Sequence, residues 1–330
     1  LRRRQHARRQ CGRMIVTRRP NALRLFFALR GSILPRIGWS LATCTALAAA
    51  VTWSHGHLLD AKITLTPVPF SLIGLALAIF LGFRNNAAYE RYWEARKLWG
   101  ELLFRSRSLA RQLLTLTRLP DASAAPDDGV SAGPDPRHAI IRRTIAFAHA
   151  LRQQLRGSGE PAELGPWLAP AELAAYAASR SGSDLLLRLS SRDLGQSMRA
   201  GHIDPHLVAA MDEQLSGLAA VAAGCERIKS TPIPFAYTLL LHRTAYLYCF
   251  LLPFGLVDLI GFMTPFVVAI VAYTFFGLDA VGDEIEEPFG LRPHHLPLDT
   301  ICRTVEINLL EAIGTNALPP ALQPVEGWLH

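Results

Sequence analysis

The stretch from Pro67 to Trp99 changes character halfway along, and every other segment must accommodate that change. No charged residue occurs from Ile63 to Phe83; then Arg84, Glu90, Arg91, Glu94, Arg96 and Lys97 follow within a few turns. A single helix with this pattern leaves an apolar medium and continues into water. Leu75, Ile79 and Phe83 recur at a spacing of four and share one helical face. On pattern alone, that face packs a core, meets lipid or lines a pore.

Composition favours the membrane. Half of the residues (50%) are hydrophobic, and the mean hydropathy is positive. A water-soluble chain of similar charge content is ordinarily less apolar. The formal net charge is +7, with much of the excess in the opening LRRRQHARRQCGR. Residues 1–13 read as a disordered basic extension, either upstream read-through before a start at Met14 or a tail resting on anionic lipid. No apolar signal-peptide core precedes a small-residue cleavage site. Cys11, Cys44, Cys225, Cys249 and Cys302 are odd in number, far apart and never spaced CxxC. That excludes a disulfide framework and a zinc module, and implies a reduced cytoplasmic face.

The spacing predicts four spans, at about 33–53, 67–90, 234–257 and 259–278. Leu23, Leu25, Phe26, Phe27 and Leu29 predict an amphipathic surface helix ahead of them. The charged continuation of the second span runs to about Arg118, with Trp93, Leu98, Leu102, Leu109 and Leu113 as its apolar contacts. The Pro- and Asp-rich segment LPDASAAPDDGVSAGPDPR is a loop. Helices then follow at Arg137–Arg156, Ala169–Ala178, Ser183–Met198 and Pro205–Ser230, with Asp135, Asp204 and Ser183 as caps. None of these is apolar enough to cross a bilayer, so about 91–232 and 279–310 form a cytosolic helical part and 311–330 a tail. An even number of spans and the Arg-rich flanks put both termini in the cytoplasm of a cell (inner) membrane protein. There is no strand-like alternation and no inverted repeat of the transporter kind.

Motifs for catalysis are missing: no GxxxxGK, HExxH, GxSxG or Gly-rich dinucleotide turn occurs, and no enzymatic activity, cofactor or metal is expected. His55 and His57 lack a second strong metal ligand beyond Asp60. His294 and His295 fall in a Pro-flanked loop and are expected at the solvent. The acidic run Asp283, Glu284, Glu286, Glu287 suits a solvated helix or an interface to basic segments better than a cation site. His242 and Arg243, near the head of an apolar helix, are expected at its boundary beside acidic partners. Gly74, Ala76, Ala78 and Gly82 allow close helix contact in the second span.

Two blocks carry a family resemblance: FSLIGLALAIFLGFRNNAAYERYWEARKLWG, and STPIPFAYTLLLHRTAYLYCFLLPFGLVDLIGFMTPFVVAIVAYTFFGLDAVGDEIEEPFG far downstream. Together they resemble the prokaryotic branch of the bestrophins, over about Met14–Leu310. The resemblance implies an all-α membrane protein with four transmembrane helices per subunit and a large helical cytosolic region. It implies a homopentamer around a central pore lined by the second span, its partners being further copies of itself, membrane lipid and permeating small ions, with no nucleic acid. By alignment on FLGFRNNAAYERYW, the hydrophobic neck that gates the pore falls on Leu75, Ile79 and Phe83. The cytosolic aperture falls on His206, after Asp204-Pro205, where the family has an aliphatic residue. The acidic calcium clasp that follows the Pro-Phe-Gly turn in animal members is absent: Leu-Arg-Pro-His-His follows Pro288-Phe289-Gly290. The implied function is passive conduction of small ions, chloride or other anions by family. The alternatives are a cation-selective (sodium) channel of the same fold and a secondary transporter.

Overall fold

Pro67 and Pro69 open the longest element of the chain, because a proline in the first helical turn gives up no hydrogen bond. In the computed structural model that helix, α2, runs unbroken from Pro67 to Leu116, a length of about 75 Å. The structure describes residues 14–15, 29, 31–55, 57–58, 61–62, 66–118, 135–324 and 328–329. The elements besides α2 are β1 (Met14–Ile15), α1 (Leu34–Trp53), β2 (His57–Leu58), β3 (Ala61–Lys62), α3 (Pro136–Arg156), α4 (Pro170–Ala178), α5 (Gly182–Arg199), α6 (Pro205–Ser230), α7 (Phe235–Ile260), α8 (Thr264–Ile285), α9 (Leu298–Ala312) and β4 (Trp328–Leu329). The strands are two-residue antiparallel pairs, β1 with β4 and β2 with β3, so the fold is helical throughout its packed parts.

The chain divides into two units. One comprises residues 17–93 and 231–288, the other residues 1–16, 94–230 and 289–330. In the first, α1, the leading part of α2, α7 and α8 pack together around Cys44, Ala48, Phe70, Cys249, Val268, Ala272 and Phe276. The contacts fix the directions. Ser40 meets Tyr246 and Cys44 meets Cys249, so α1 and α7 run parallel. Phe70 lies on Gly255 and the Phe80 carbonyl accepts from Tyr237, so α2 runs antiparallel to α7. Tyr246 stacks on Phe276 and His242 meets Asp279, so α8 also opposes α7. Close approach of α2 and α7 needs a residue without a side chain at Gly74, where a Cβ would stand 2.7 Å from the Tyr248 hydroxyl. Gly82 has no such neighbour. Pro253 interrupts α7. A proline cannot bond the carbonyl four residues earlier, here that of Cys249, and the Cys44 thiol donates to that carbonyl instead, at 3.3 Å.

Leu34–Trp53, Pro67–Leu116 and Phe235–Ile285 are long and apolar enough to cross a membrane. The last contains both α7 and α8, separated by a 3-10 turn at Gly261–Met263. The sequence reading put that connection near Asp258. Instead α7 continues to Ile260, and the chain reverses at Gly261, whose φ of +49° suits a residue without a side chain. Trp53 and Phe262 are exposed at the same end of this unit, the pattern of an interfacial aromatic belt.

The second unit is built around α3, which is buried on nearly every face from Ile140 to Leu155. Asp135 caps it, accepting from the Arg137 amide at 2.9 Å. Arg143 of α3 is buried and bridges Glu172 of α4 and Asp193 of α5, both at 2.6 Å. Asp299 in the first turn of α9 receives Arg152 and Arg156 of α3 at 2.5 and 2.7 Å. The later part of α2 belongs here, with Trp99, Leu102, Leu109 and Leu113 buried and Leu98 against Gly224. Trp93 is exposed. The cap expected at Ser183 is not one: α5 begins at Gly182, and the buried Ser183 hydroxyl donates to Gln154 at 2.8 Å. His295 is buried rather than solvated, because Gly290 leaves room for its ring and its Nδ1 accepts from the Arg292 amide. Cys44, Cys225, Cys249 and Cys302 are buried and free. Burial pushes the Cys225 and Cys302 thiols up to about 12, so neither is a ready nucleophile. Residues 1–13, Cys11, the amphipathic segment over Leu23–Phe27 and the loop at 119–134 lie outside the described residues.

Two buried groups set the acid stability of this unit. Burial holds the His149 imidazole, stacked on Trp167 at 4.5 Å, below its usual range; Glu306 opposes this only in part. The folded chain therefore takes up that proton less readily than the unfolded chain, and stability falls once pH drops below the unfolded imidazole value of about 6.5. Burial pushes the Asp299 carboxyl up, but Arg156 and Arg152 outweigh it and hold it below the ordinary carboxylate range. Its contribution is present above the unfolded carboxyl value and is lost only as pH falls through the lower folded one. We expect the melting temperature in detergent to fall between pH 7.5 and 5.5, and His149→Gln to reduce that fall. Circular-dichroism melts that drop equally for both proteins would overturn this account.

Candidate pore helix and its buried support

One face of α2 is packed and the other is not. Leu77, Leu81 and Ala88 are buried, Leu77 against Leu241 and Ala245 of α7. On the other side Leu75, Ile79 and Phe83 are 62%, 49% and 65% exposed, flanked by the exposed Val68, Leu72 and Phe80. The stripe read from sequence therefore faces away from its own bundle. These three residues share a helix face within one unit. His206 belongs to the other unit, exposed in the first turn of α6. There Asp204 caps the helix, its carboxylate accepting from the His206 amide at 2.9 Å.

Arg84 directly follows the stripe and is 0% exposed. A guanidinium inside an apolar bundle requires partners. Its Nη1 donates to the Asp279 carboxylate at 2.7 Å and to the Asp279 carbonyl at 3.3 Å. Its Nη2 engages Asp283, with Glu286 at 3.8 Å. Asp283 also receives Arg36 of α1 at 2.9 Å. Asp279 is itself buried, and its second oxygen meets His242 Nδ1 of α7 at 2.7 Å. Two turns on, Arg91 donates to the backbone carbonyls of Glu286 and Thr231, and Glu286 accepts from the Ile233 amide at 3.1 Å. All four helices of the bundle thus meet in one ionic network. The acidic partner expected for His242 is Asp279, and two members of the acidic run pair with basic side chains.

Sequence reading missed Arg84 and Asp279 as a pair. The available signal was an arginine at the end of an apolar run, matched by Asp279 and Asp283 at a spacing of four on one face of α8. Among the described residues, no group of three or more His, Cys, Asp or Glu is arranged to hold a metal ion.

Comparison with known proteins gives the class. The family described as bacterial/fungal bestrophin protein matches residues 14–311. A voltage-dependent anion channel-forming protein of Mesorhizobium japonicum is 43% identical over 318 residues, covering 95% of this chain and 96% of that one. Its counterpart in Escherichia coli K12 is 41% identical, with 94% and 98% covered. The crystal structure of a bacterial bestrophin homolog from Klebsiella pneumoniae superposes with a TM-score of 0.78 at 39% identity, covering 85% of this chain and all of that one (100%). The chain belongs to the bacterial and fungal bestrophins, as a membrane protein of the prokaryotic branch.

The ion network yields a direct test. Removing Arg84 takes the guanidinium from the buried Asp279 and leaves it His242 alone, and breaking a buried pair of this kind costs about 3–5 kcal/mol. We expect Arg84→Ala to melt well below the wild type in detergent. Arg84→Lys should be intermediate, because an ammonium keeps the charge but not the two-pronged geometry. An unchanged melting temperature for Arg84→Ala would overturn the clamp.

Proposed function

We propose that the chain forms a homopentameric channel that conducts small ions passively, anions by preference, through a central pore lined by α2. The observation that carries this reading is the exposed apolar stripe Leu75, Ile79 and Phe83, in a helix whose opposite face is fully packed. The relatives' description as voltage-dependent anion channel-forming proteins supports the ion class. In this reading α1, the leading part of α2, α7 and α8 each span the cell membrane, both termini are cytoplasmic, and residues 14–310 make up the channel domain.

Five copies of the stripe would ring the axis as a hydrophobic neck. In a narrow ring water is expelled, and an ion must shed its hydration with no ligand in return. A small widening admits water and ions. The cytosolic aperture is assigned to His206. Five imidazoles would meet in that ring, and acid adds positive charge to it. Once protonated they favour anions and oppose cations. A cation-selective channel of the same fold is the second reading, since a neck without charges sets no sign by itself.

Single-channel recording of the purified protein in planar bilayers tests the whole. Discrete steps separate a channel from a transporter, and the reversal potential under a salt gradient gives the sign of the ion. Changing Leu75, Ile79 and Phe83 together to Ala should raise conductance; unaltered currents would remove the stripe from the gate. Acidifying the side that reaches His206 should shift the reversal potential toward that of chloride. A shift that persists in His206→Ala would remove His206 from the aperture.

A further inference from the structure

His242 is the one member of the ionic network with a titratable imidazole, and it is half-exposed while the groups behind it are buried. Its Nδ1 stands 2.7 Å from the Asp279 oxygen that Arg84 does not use. Its ring lies 4.4 Å from that of Tyr246, which in turn stacks on Phe276 of α8 and bonds Ser40 of α1. The charged and titratable groups around it come from each helix of the bundle. They are Asp279 and Asp283 on α8 and Glu286 just after it, Arg84 on α2, Arg36 on α1, and Arg243 and Tyr246 on its own helix. Arg84 is the residue next to Phe83, the last position of the exposed stripe.

We propose that His242 is a proton-operated positioning residue for the neck, fastening α8, and through Arg84 the Phe83 end of the pore helix, to α7. The inference rests on the channel reading of the α2 stripe. Arg84 is bound to Asp279 and Asp283, so any outward movement of α2 at Phe83 carries α8 with it. What resists that movement includes the hold of α8 on α7. With neutral His242, an Nδ1–H donates a hydrogen bond to the Asp279 carboxylate. Adding a proton keeps that donor in place and adds the attraction of a full positive charge for the carboxylate, which tightens the contact. Acid therefore opposes widening of the neck, and alkali releases it. This effect acts on how often the neck opens. It differs from titration at His206, which acts on which ion passes.

The test is the open probability of single channels in planar bilayers, in symmetrical salt at pH 8 and pH 5.5 on both sides. Wild type should open about fivefold less often at pH 5.5. His242→Asn places an amide donor near the Nδ1 position without a titratable proton, and should hold the alkaline open probability at both pH values. His242→Lys carries a charge at both, and should hold the low, acid value. If the lysine variant fails to assemble, the asparagine variant decides alone. A full acid decrease in His242→Asn overturns the proposal, as do wild-type channels whose opening ignores pH; both leave the channel reading standing. Failure of wild type to give steps at any pH removes the channel reading and this inference with it.

Discussion

A buried guanidinium dictates the arrangement of the apolar bundle. Arg84 has no access to water, and its charge is tolerable only because α8 presents Asp279 and Asp283 to it on one face. Those carboxylates in turn need cations, which come from α1 through Arg36, and a donor from α7 through His242. Four helices that share largely featureless aliphatic surfaces could slide past one another by a turn at small cost in packing. The ion network forbids that, because a shift of one turn would strand a charge in a medium that cannot solvate it. Rotation of α2 is fixed by the same constraint. With Arg84 pointed inward, Leu75, Ile79 and Phe83 must point outward.

Much of this was legible in the amino-acid order, and for identifiable reasons. The helices beyond the bundle begin where proline and a capping residue coincide, as at Asp135-Pro136 and Asp204-Pro205, and their lengths follow from hydrophobic period alone. The apolar stripe of α2 was visible as a spacing of four. Its orientation was not, because a periodic pattern marks a face without saying what the face meets. That depended on a contact between Arg84 and Asp279, 195 positions apart. Similar reasons explain the local errors. Ser183 is a plausible cap by residue type, but its hydroxyl is taken by Gln154 on another helix. His295 looked solvated because prolines surround it, whereas its burial follows from the empty Cβ position of Gly290, a tertiary fit that composition does not encode. The turn after α7 was set three residues early, at Asp258, whereas the chain reverses at Gly261, where a positive φ suits a residue without a side chain.

The second unit solves a different problem. Here paired charges on neighbouring helices do the fastening. Arg143 joins α3 to α4 and α5, and Asp299 joins α9 to the end of α3 through two arginines. Asp299 also stands in the first turn of its helix, where a negative charge is favoured by the helix dipole. Polar cross-links of this kind reward geometry over bulk. They allow a helical layer to be firmly registered although many of its side chains remain at the surface.

Pro253 gives α7 a mechanical property that none of its neighbours share. Where an amide would close the turn, the Cys249 carbonyl is held by a thiol hydrogen, a weak donor. The helix is therefore softest at that point, and a bend there costs less than elsewhere along its length. The short segment beyond it carries Gly255, against which Phe70 at the start of α2 lies. Flexing at Pro253 displaces the surface on which the opening turn of α2 rests, while the far end of α7, tied through His242, stays in place. The bundle is thus cross-linked by charge at one end, while toward its aromatic end α7 lacks a backbone hydrogen bond and packs on α2 through Phe70 and Gly255.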